Sequence, residues 1–253
     1  MSTAPAARAA GENLTQRQMV TVMVGLMLGM FLASLDQTIV STSIYTIAND
    51  LDGLSLQAWA TTAYLITSTV STPLYGKLSD IFGRRPLYLT AIVIFLVGSL
   101  YAGSVHSMTE LALARGVQGL GAGGLLALAL TIIGDIVSLK DRAKYQGYFM
   151  SVFGISSVLG PVVGGAFAGS ANILGFEGWR WVFFINLPIG LAALAVVFLF
   201  LHLPAKHVKQ KIDYFGAAAI TLALVPLLLV AEPANAPPTT GPSTEEMPNT
   251  DMK

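Results

Sequence analysis

The stretch that decides the fold runs from Gly76 to Pro86 and reads Gly-Lys-Leu-Ser-Asp-Ile-Phe-Gly-Arg-Arg-Pro. Two glycines frame a predicted short turn, with Asp80 in the middle and the basic pair Arg84-Arg85 before the proline. A proline suits the first turn of a helix, where its missing N–H is not needed. Asp80 can accept hydrogen bonds from backbone N–H groups or from Arg84, and such bonds would hold two helices at a fixed angle. The alternative is a tight loop that only marks one side of a membrane.

Apolar segments of bilayer length flank this turn, and seven of them occur along the chain. With 54% hydrophobic residues, 11% charged residues and a mean hydropathy of +0.67, the composition is that of an integral membrane protein. An ordinary soluble domain carries about 25% charged residues. The absence of cysteine excludes disulfides and thiolate metal sites. The predicted spans are residues 19–46, 57–75, 87–104, 111–137, 145–168, 182–203 and 214–231.

Basic residues concentrate in alternate connections, after the second, fourth and sixth spans. Because positive residues mark the cytoplasmic side, the amino terminus, with Arg8 and Arg17, is predicted to be cytoplasmic. The first apolar run is too long for a signal-peptide core, so the first helix should stay uncleaved. Seven spans then put the carboxyl terminus outside. The residues concerned are Lys77, Arg84 and Arg85, then Lys140, Arg142 and Lys144, and finally Lys206, Lys209 and Lys211.

Composition divides the chain into four parts. Residues 1–18 are predicted to form a cytoplasmic segment, and residues 19–204 contain the first six spans. Residues 205–231 hold a basic loop and the seventh helix. Residues 232–253 contain prolines among Thr, Asn, Ser and Glu, so we expect a disordered tail.

The segment Leu35-Asp36-Gln37-Thr38-Ile39-Val40 places a carboxylate deep in the first apolar run. A charge at membrane depth costs about 3 kcal/mol on insertion scales, so it is tolerated mainly beside a watery cavity, a partner or a transport path. Arg115 lies about four residues into the fourth span, which enters from the outside. Both charges then lie in the outer part of the membrane at comparable depth. We expect them to face the same interior surface and to interact.

Two interpretations of this pair remain open. An arginine stays protonated and favours the charged carboxylate, whereas desolvation favours the neutral acid. A carboxylate between these influences can change protonation when water access switches sides, as a proton carrier must. The alternative is a structural ion pair that joins two helices. Gln118, on the same helical face as Arg115, could hydrogen-bond the pair or a substrate, or could serve only as an interhelical contact.

The fifth span carries small residues at Ser156, Gly160 and Gly164, followed by Gly165. In lipid, such a stripe lets helix backbones approach closely. Pro161 adds a bend because it removes a backbone donor. A bent, closely packed helix suits a pivot for alternating access, and static packing is the alternative.

Gly76, Asp80, Gly83, Arg84 and Arg85 belong to a segment that closely resembles the cytoplasmic loop motif of the major facilitator superfamily. Other segments, in order, resemble motifs of its fourteen-helix drug:proton antiporter branch. The resemblance extends from about residue 19 to residue 231. Its segments are residues 35–40, Trp59 with Tyr64, then Leu111, Arg115, Gln118, Gly119, Gly121 and Ala122, then residues 160–165, and finally residues 179–188.

The chain departs from the family pattern in two respects. Ser41 and Tyr45 stand where the first-helix motif of the branch usually has Asn and Pro. Transporters of this kind are also about twice as long, with a second six-helix half across a central cavity.

The resemblance implies an all-α integral membrane fold, with a six-helix bundle of inverted three-helix repeats and a seventh helix. It implies the amino-terminal half of a proton-coupled multidrug efflux transporter in the plasma membrane, and not an enzyme. The expected energy source is the proton gradient, without a cofactor or metal. The expected partners are the lipid bilayer, protons and lipophilic or cationic small molecules, and no nucleic acid. A carboxyl-terminal half or a second copy would complete the cavity.

The residue chemistry and the resemblance together predict roles for individual residues. Asp36 and Arg115 are the proton-coupling residues, and Gln118, Thr38, Trp59 and Tyr64 are candidates for the substrate cavity. Gly160, Pro161, Gly164 and Gly165 form the antiporter motif of the fifth helix. The alternative function is a non-transporting membrane fragment, or a half-transporter that needs a partner half or a homodimer.

Overall fold

The computed structural model describes residues 15–201 and Pro226. Five long helices, a broken sixth segment and one short β-ribbon make up this part of the chain. The helices are α1 (Gln16–Asp50), α2 (Gln57–Phe82), α3 (Arg84–Ala102), α4 (Met108–Ile136), α5 (Arg142–Ala168), α6 (Trp181–Phe184) and α7 (Asn186–Phe200). The ribbon pairs β1 (Asn172–Ile173) with β2 (Phe176–Glu177), and short 3-10 turns occupy Leu54–Leu56 and Gly178–Arg180.

Six predicted spans coincide with helical segments, and the seventh, 214–231, lies outside the described residues apart from Pro226. The domain segments 205–231 and 232–253 lie outside them as well. Five helical segments among the described residues are long and apolar enough to cross a membrane. α2 is not one of them, because it is rich in Ser and Thr. Thr67, for example, donates to the carbonyl of Ala63 in its own helix at 2.9 Å.

The turn predicted over residues 76–86 is shorter than expected, since α2 continues to Phe82 and α3 begins at Arg84. Gly83 alone makes the turn, with φ 96° and ψ 153°. One residue is enough for the turn because glycine adopts a positive φ without steric cost. Pro86 lies in the first turn of α3, as predicted.

The predicted sixth span, 182–203, also needs correction, because it is divided into α6 and α7 at Ile185 and its helix ends at Phe200. Pro188 explains the division. It has no N–H to donate to the carbonyl of Phe184, so the helical ladder is interrupted there.

Packing joins the helices in two groups around α1 and α4. α1 packs against α5 and α7, whereas α4 packs against α2 and α3, and α1 meets α4 at the centre. The apolar core has two parts. One surrounds Leu26, Met30 and Phe95, near the end of the bundle that holds the α2–α3 turn. The other surrounds Ile39, Ile47 and Phe183, toward the opposite end.

The small residues of α5 lie against α1. Ideal Cβ atoms built on Gly160 and Gly164 would collide with Thr38 and with the carbonyl of Ile39, respectively. Thr38 donates to the carbonyl of Ser156 at 3.0 Å, and Ser43 donates to that of Gly164 at 3.1 Å. The stripe therefore brings two backbones within reach of interhelical hydrogen bonds.

Gly165 and Pro161 lie on the exposed side of α5, away from this contact. A Cβ on Gly165 would meet nothing within 4 Å. Gly165 therefore takes no part in the approach to α1, and the pivot stays a prediction.

Replacing Gly164 with Leu should destabilise the bundle, because a side chain there would push α5 off the Ile39 carbonyl, 2.8 Å from the ideal Cβ. Overpacking of this kind costs about 1–3 kcal/mol. The measurement is the free energy of unfolding of the purified chain in mixed micelles, followed by circular dichroism.

Gly165→Leu is the matched control, with the same substitution one position along the same helix. It should leave the free energy of unfolding nearly unchanged. Equal losses in the two variants would show that the α1–α5 contact is not the cause.

Candidate functional site

The candidate site is a polar cluster centred on Asp36, whose side chain is 0% exposed. Arg115 Nη1 donates to Asp36 Oδ2 at 2.5 Å, and the arginine side chain is only 1% exposed. Asp36 comes from α1 and Arg115 from α4. The sequence prediction that these two residues interact is thus matched by direct contact.

Gln118 ties the pair together from one turn further along α4. Its Oε1 accepts from Arg115 Nη1 at 2.7 Å, and its Nε2 donates to Asp36 Oδ1 at 2.8 Å. The i, i+3 spacing puts both side chains on one face of the helix. Gln118 therefore bonds to both charges at once.

Two further residues complete the cluster, Ser99 on α3 and Asn186 at the start of α7. Asn186 Nδ2 donates to Asp36 Oδ1 at 2.7 Å and to Ser99 Oγ at 2.8 Å. Ser99 Oγ also accepts from Gln118 Nε2 at 2.7 Å. Asp36 Oδ1 thus accepts two amide donors, while Oδ2 accepts the guanidinium.

Tyr64 on α2 closes the arginine side of the cluster. Its ring lies under the guanidinium, with Arg115 Cζ 4.2 Å from the ring centroid. Such a stack favours the cation when water is excluded. The tyrosine hydroxyl donates to the backbone carbonyl of Ala33 at 3.3 Å and not to the carboxylate of Asp36.

The cluster is buried where the two apolar cores meet, with Ala33 in one core and Leu35 in the other. One carboxylate and one guanidinium balance each other. Arg115 Nε and Asn186 Oδ1 are buried and have no hydrogen-bond partner within the described residues 15–201. The arrangement can hold one charge pair in a dry environment, and it retains two unused polar atoms beside that pair.

The depth argument from the sequence needs one correction. Asp36 lies 14 positions before the end of α1 at Asp50, whereas Arg115 lies seven positions after the start of α4 at Met108. The outer ends of the two helices therefore do not align, because α1 extends beyond α4. The side chains nevertheless meet at 2.5 Å, so they lie at comparable depth as predicted, and only the predicted ends of the two spans are corrected.

Ser99 and Asn186 are the cluster residues that the sequence prediction missed. Both were detectable as polar residues in strongly apolar segments, since the segment Gly178–Phe200 has a mean hydropathy of 2.5. Their direction around the helix axis could not be inferred. For Asn186 the irregular α6–α7 junction makes any count of helical turns unreliable.

Two predicted cavity residues lie apart from the cluster. Thr38 faces α5, where its hydroxyl is bonded to Ser156. Trp59 is 43% exposed and lines an apolar groove of about 370 Å³ between the starts of α2 and α4. The groove is formed by Leu56, Trp59, Ala63, Met108, Thr109, Ala112 and Leu113.

The predicted loop motif forms a second charged cluster, centred on Arg84. Arg84 pairs with Asp80 at 2.8 Å and with Asp135, at the end of α4, at 2.9 Å, and it also contacts Ser79. Arg85 Nη2 donates to the carbonyl of Phe198 at 2.6 Å, which ties α3 to α7. Asp135 was not predicted, because no local pattern links it to the motif.

Comparison with known proteins identifies the family of this chain. Residues 26–243 match the family model described as Major Facilitator Superfamily. The chain is 41% identical over 216 residues to the multidrug transporter protein MdtP of Bacillus subtilis (strain 168), which covers 85% of this chain and 38% of that protein. It is 38% identical over 223 residues to multidrug resistance protein 3 of the same organism, with coverages of 87% and 42%.

The efflux pump dotC of Dothistroma septosporum (strain NZE10 / CBS 128990) is 43% identical over 201 residues, which cover 78% of this chain and 34% of the pump. The chain therefore spans between 34% and 42% of the length of these relatives.

Solved structures show the same fold at low identity. The proton:xylose symporter XylE superposes with a TM-score of 0.66 at 17% identity, over 87% of this chain and 54% of that chain. The human organic anion transporter MFSD10 superposes with a TM-score of 0.65 at 18% identity, over 88% and 58%. At identities this low, the superpositions show the fold and give no information on the substrate.

Removing only the carboxylate should destabilise the bundle more than removing the whole pair. Asp36→Leu leaves the Arg115 cation buried without its counter-charge, and breaking a buried pair in this way costs about 3–5 kcal/mol. The double variant Asp36→Leu/Arg115→Leu removes both charges and should lose less. The free energy of unfolding in mixed micelles measures both variants, and a double variant at least as unstable as Asp36→Leu would contradict this prediction.

Gly83→Ala should destabilise the α2–α3 turn by about 1–2 kcal/mol, because an alanine at φ 96° is sterically strained. Gly76→Ala is the matched control. Gly76 lies inside α2 with nothing within 4 Å of an added Cβ, so alanine should stabilise the helix by about 0.5–1 kcal/mol. Thermal unfolding of the two variants should shift in opposite directions.

Proposed function

Because the chain belongs to the major facilitator superfamily, we propose that it is the amino-terminal half of a proton-coupled multidrug exporter. Alternating access would move the substrate, with Asp36 as the proton carrier and Arg115 as its coupled partner. The family is one of transporters and not of enzymes, and the predicted all-α membrane fold is confirmed. The single observation that carries the proposal is the buried Asp36–Arg115 ion pair.

The pair has the chemistry that proton coupling requires. Arg115 keeps its proton, so the exchangeable site of the pair is the carboxylate. When a proton from water binds Asp36, an O–H bond forms and the net charge of the pair changes from zero to +1. The ion pair is then lost, and Arg115 is free to take another partner. A switch of this kind needs water to reach Asp36 from opposite sides in turn.

The substrate class rests on weaker support. The relatives named above are a multidrug transporter, a multidrug resistance protein and an efflux pump. Lipophilic or cationic compounds are therefore the proposed substrates, with Gln118, Thr38, Trp59 and Tyr64 still the predicted contacts. The proton gradient would be the energy source, and the plasma membrane the location, with the amino terminus cytoplasmic.

The length of the chain, compared with that of its relatives, favours a second candidate function, that of a half-transporter or a non-transporting protein. Since the chain spans at most 42% of the relatives compared above, it could need a carboxyl-terminal half or a second copy to form a cavity. The halves of the superfamily are parallel repeats around an axis along the membrane normal, which a pair of identical chains could imitate. Without either, the chain would be a non-transporting membrane protein.

The test uses inverted membrane vesicles from a host that lacks its own exporters, with an inside-acid gradient and a fluorescent cation. Two arms are compared: this chain alone, and this chain fused to the part of MdtP that it does not match. Proton-driven uptake is expected in the fused arm at least. Asp36→Asn should reduce it on the order of tenfold or more, because the amide cannot carry the proton.

Asp52→Asn is the control, since it makes the same chemical change at an exposed residue outside the cluster. It should leave uptake unchanged. Uptake that survives in Asp36→Asn would overturn the carrier role and favour a structural ion pair. Correct insertion of both arms with no uptake in either would favour the non-transporting alternative.

A further inference from the structure

Asn186 offers a hydrogen-bonding group that the Asp36–Arg115 pair alone does not supply. We propose that Asn186 serves both protonation states of Asp36: its Nδ2 donates to the charged carboxylate, and its Oδ1 accepts the O–H of the protonated acid after the amide turns over. This inference rests on the proposed role of Asp36 as a proton carrier. It makes Asn186 a positioning residue of that carrier.

The two oxygens of Asp36 differ in what they face. Oδ2 accepts from Arg115 Nη1 at 2.5 Å, so a proton there would meet a donor. Oδ1 faces the side-chain amides of Gln118 and Asn186, each of which carries an oxygen as well as a nitrogen. A side-chain amide can present either group after a half-turn. The proton is therefore best accommodated on Oδ1.

Only one of these amides has a free acceptor. Gln118 Oε1 already accepts from Arg115 Nη1 at 2.7 Å. Asn186 Oδ1 is buried and accepts no hydrogen bond from any residue that the structure describes. An unpaired buried carbonyl is costly to keep, so its position beside an ionisable group indicates a use in another state.

The bonds that the half-turn breaks are also compensated. Asn186 Nδ2 leaves Asp36 Oδ1 and Ser99 Oγ. Ser99 Oγ keeps its donor from Gln118 Nε2. Asp36 Oδ1 no longer needs a second donor once it carries a proton. The half-turn thus breaks two hydrogen bonds of the Asn186 amide nitrogen. The turned amide oxygen accepts one bond from the protonated acid, and the Ser99 hydroxyl can donate its own hydrogen to the same oxygen.

The charged and titratable groups that face Asp36 are few in the part of the chain that the structure describes. α4 contributes Arg115, and α2 contributes Tyr64, whose ring stacks on that arginine. α3 and α7 contribute the uncharged Ser99 and Asn186. Arg115 and Tyr64 already carry their protons at neutral pH, so a proton taken up by these groups on acidification goes to Asp36.

The experiment records infrared difference spectra of the purified chain in nanodiscs as the pH is lowered. The carbonyl band of protonated Asp36 is identified by its loss in Asp36→Asn. A hydrogen-bonded carboxylic acid absorbs at lower wavenumber than a free one. In Asn186→Leu, the band should therefore move to higher wavenumber, while the titration midpoint moves by less than about one pH unit, since both states lose one bond.

A role as donor only gives a different result. The band would stay in place and the midpoint would rise by about one to two pH units, because only the charged state would lose a bond. A purely structural role would change neither. Either result would overturn the inference and leave the proton carrier intact. If no Asp36 band titrates in the unsubstituted chain, the carrier itself fails, and the inference fails with it.

Asn49→Leu is the matched control. It makes the same substitution at an exposed position of α1 outside the cluster, so the Asp36 band should keep its position. Asn186→Ala repeats the test if Asn186→Leu does not fold. A third measurement needs no change at residue 186: with ¹³C-labelled asparagine, an amide carbonyl band should shift as Asp36 titrates. Its absence would also overturn the inference.

Discussion

The bundle depends on one constraint, which is that Asp36 and Arg115 cannot be buried apart. Each charge alone would be costly at membrane depth, and together they are fully enclosed. Their contact fixes α1 against α4 at the junction of the two apolar cores. Ser99 on α3 and Asn186 on α7 then form hydrogen bonds with the remaining polar atoms of the cluster. One ion pair therefore organises helices from both sides of the bundle.

The close approach of the helices follows from the same need. Glutamine and arginine on α4 reach α1 only if α4 lies deep between its neighbours. Gly98 of α3 faces the backbone of Gln118, and an added Cβ would lie 2.7 Å from its N atom. Gly119 lies equally close to the backbone of Tyr64. Glycines on both sides of the Gln118 backbone thus let it sit where its side chain spans the charge pair.

The sequence was sufficient for what depends on local spacing and depth. Apolar length located the helices, and the rarity of charge in them singled out Asp36 and Arg115, while the i, i+3 rule added Gln118. Contacts between segments that are distant along the chain could not be predicted from the sequence. Asp135 meets Arg84 across 51 positions, and Asn186 meets Asp36 across 150. The length of the α2–α3 turn was not predicted correctly either, because hydropathy falls at residue 76 while the backbone remains helical to Phe82.

The two charged clusters differ in what they contribute, and burial decides the difference. The partners of Arg84 are partly in contact with solvent, since Asp80 is 32% and Asp135 42% exposed. Exposed pairs contribute about 0–1 kcal/mol, so this cluster sets the geometry of the α2–α3 end more than its stability. The Asp36 cluster is buried, and losing one charge there costs several times more. Under the proposed function, protonation of Asp36 would therefore act on a larger interaction than protonation of Asp80.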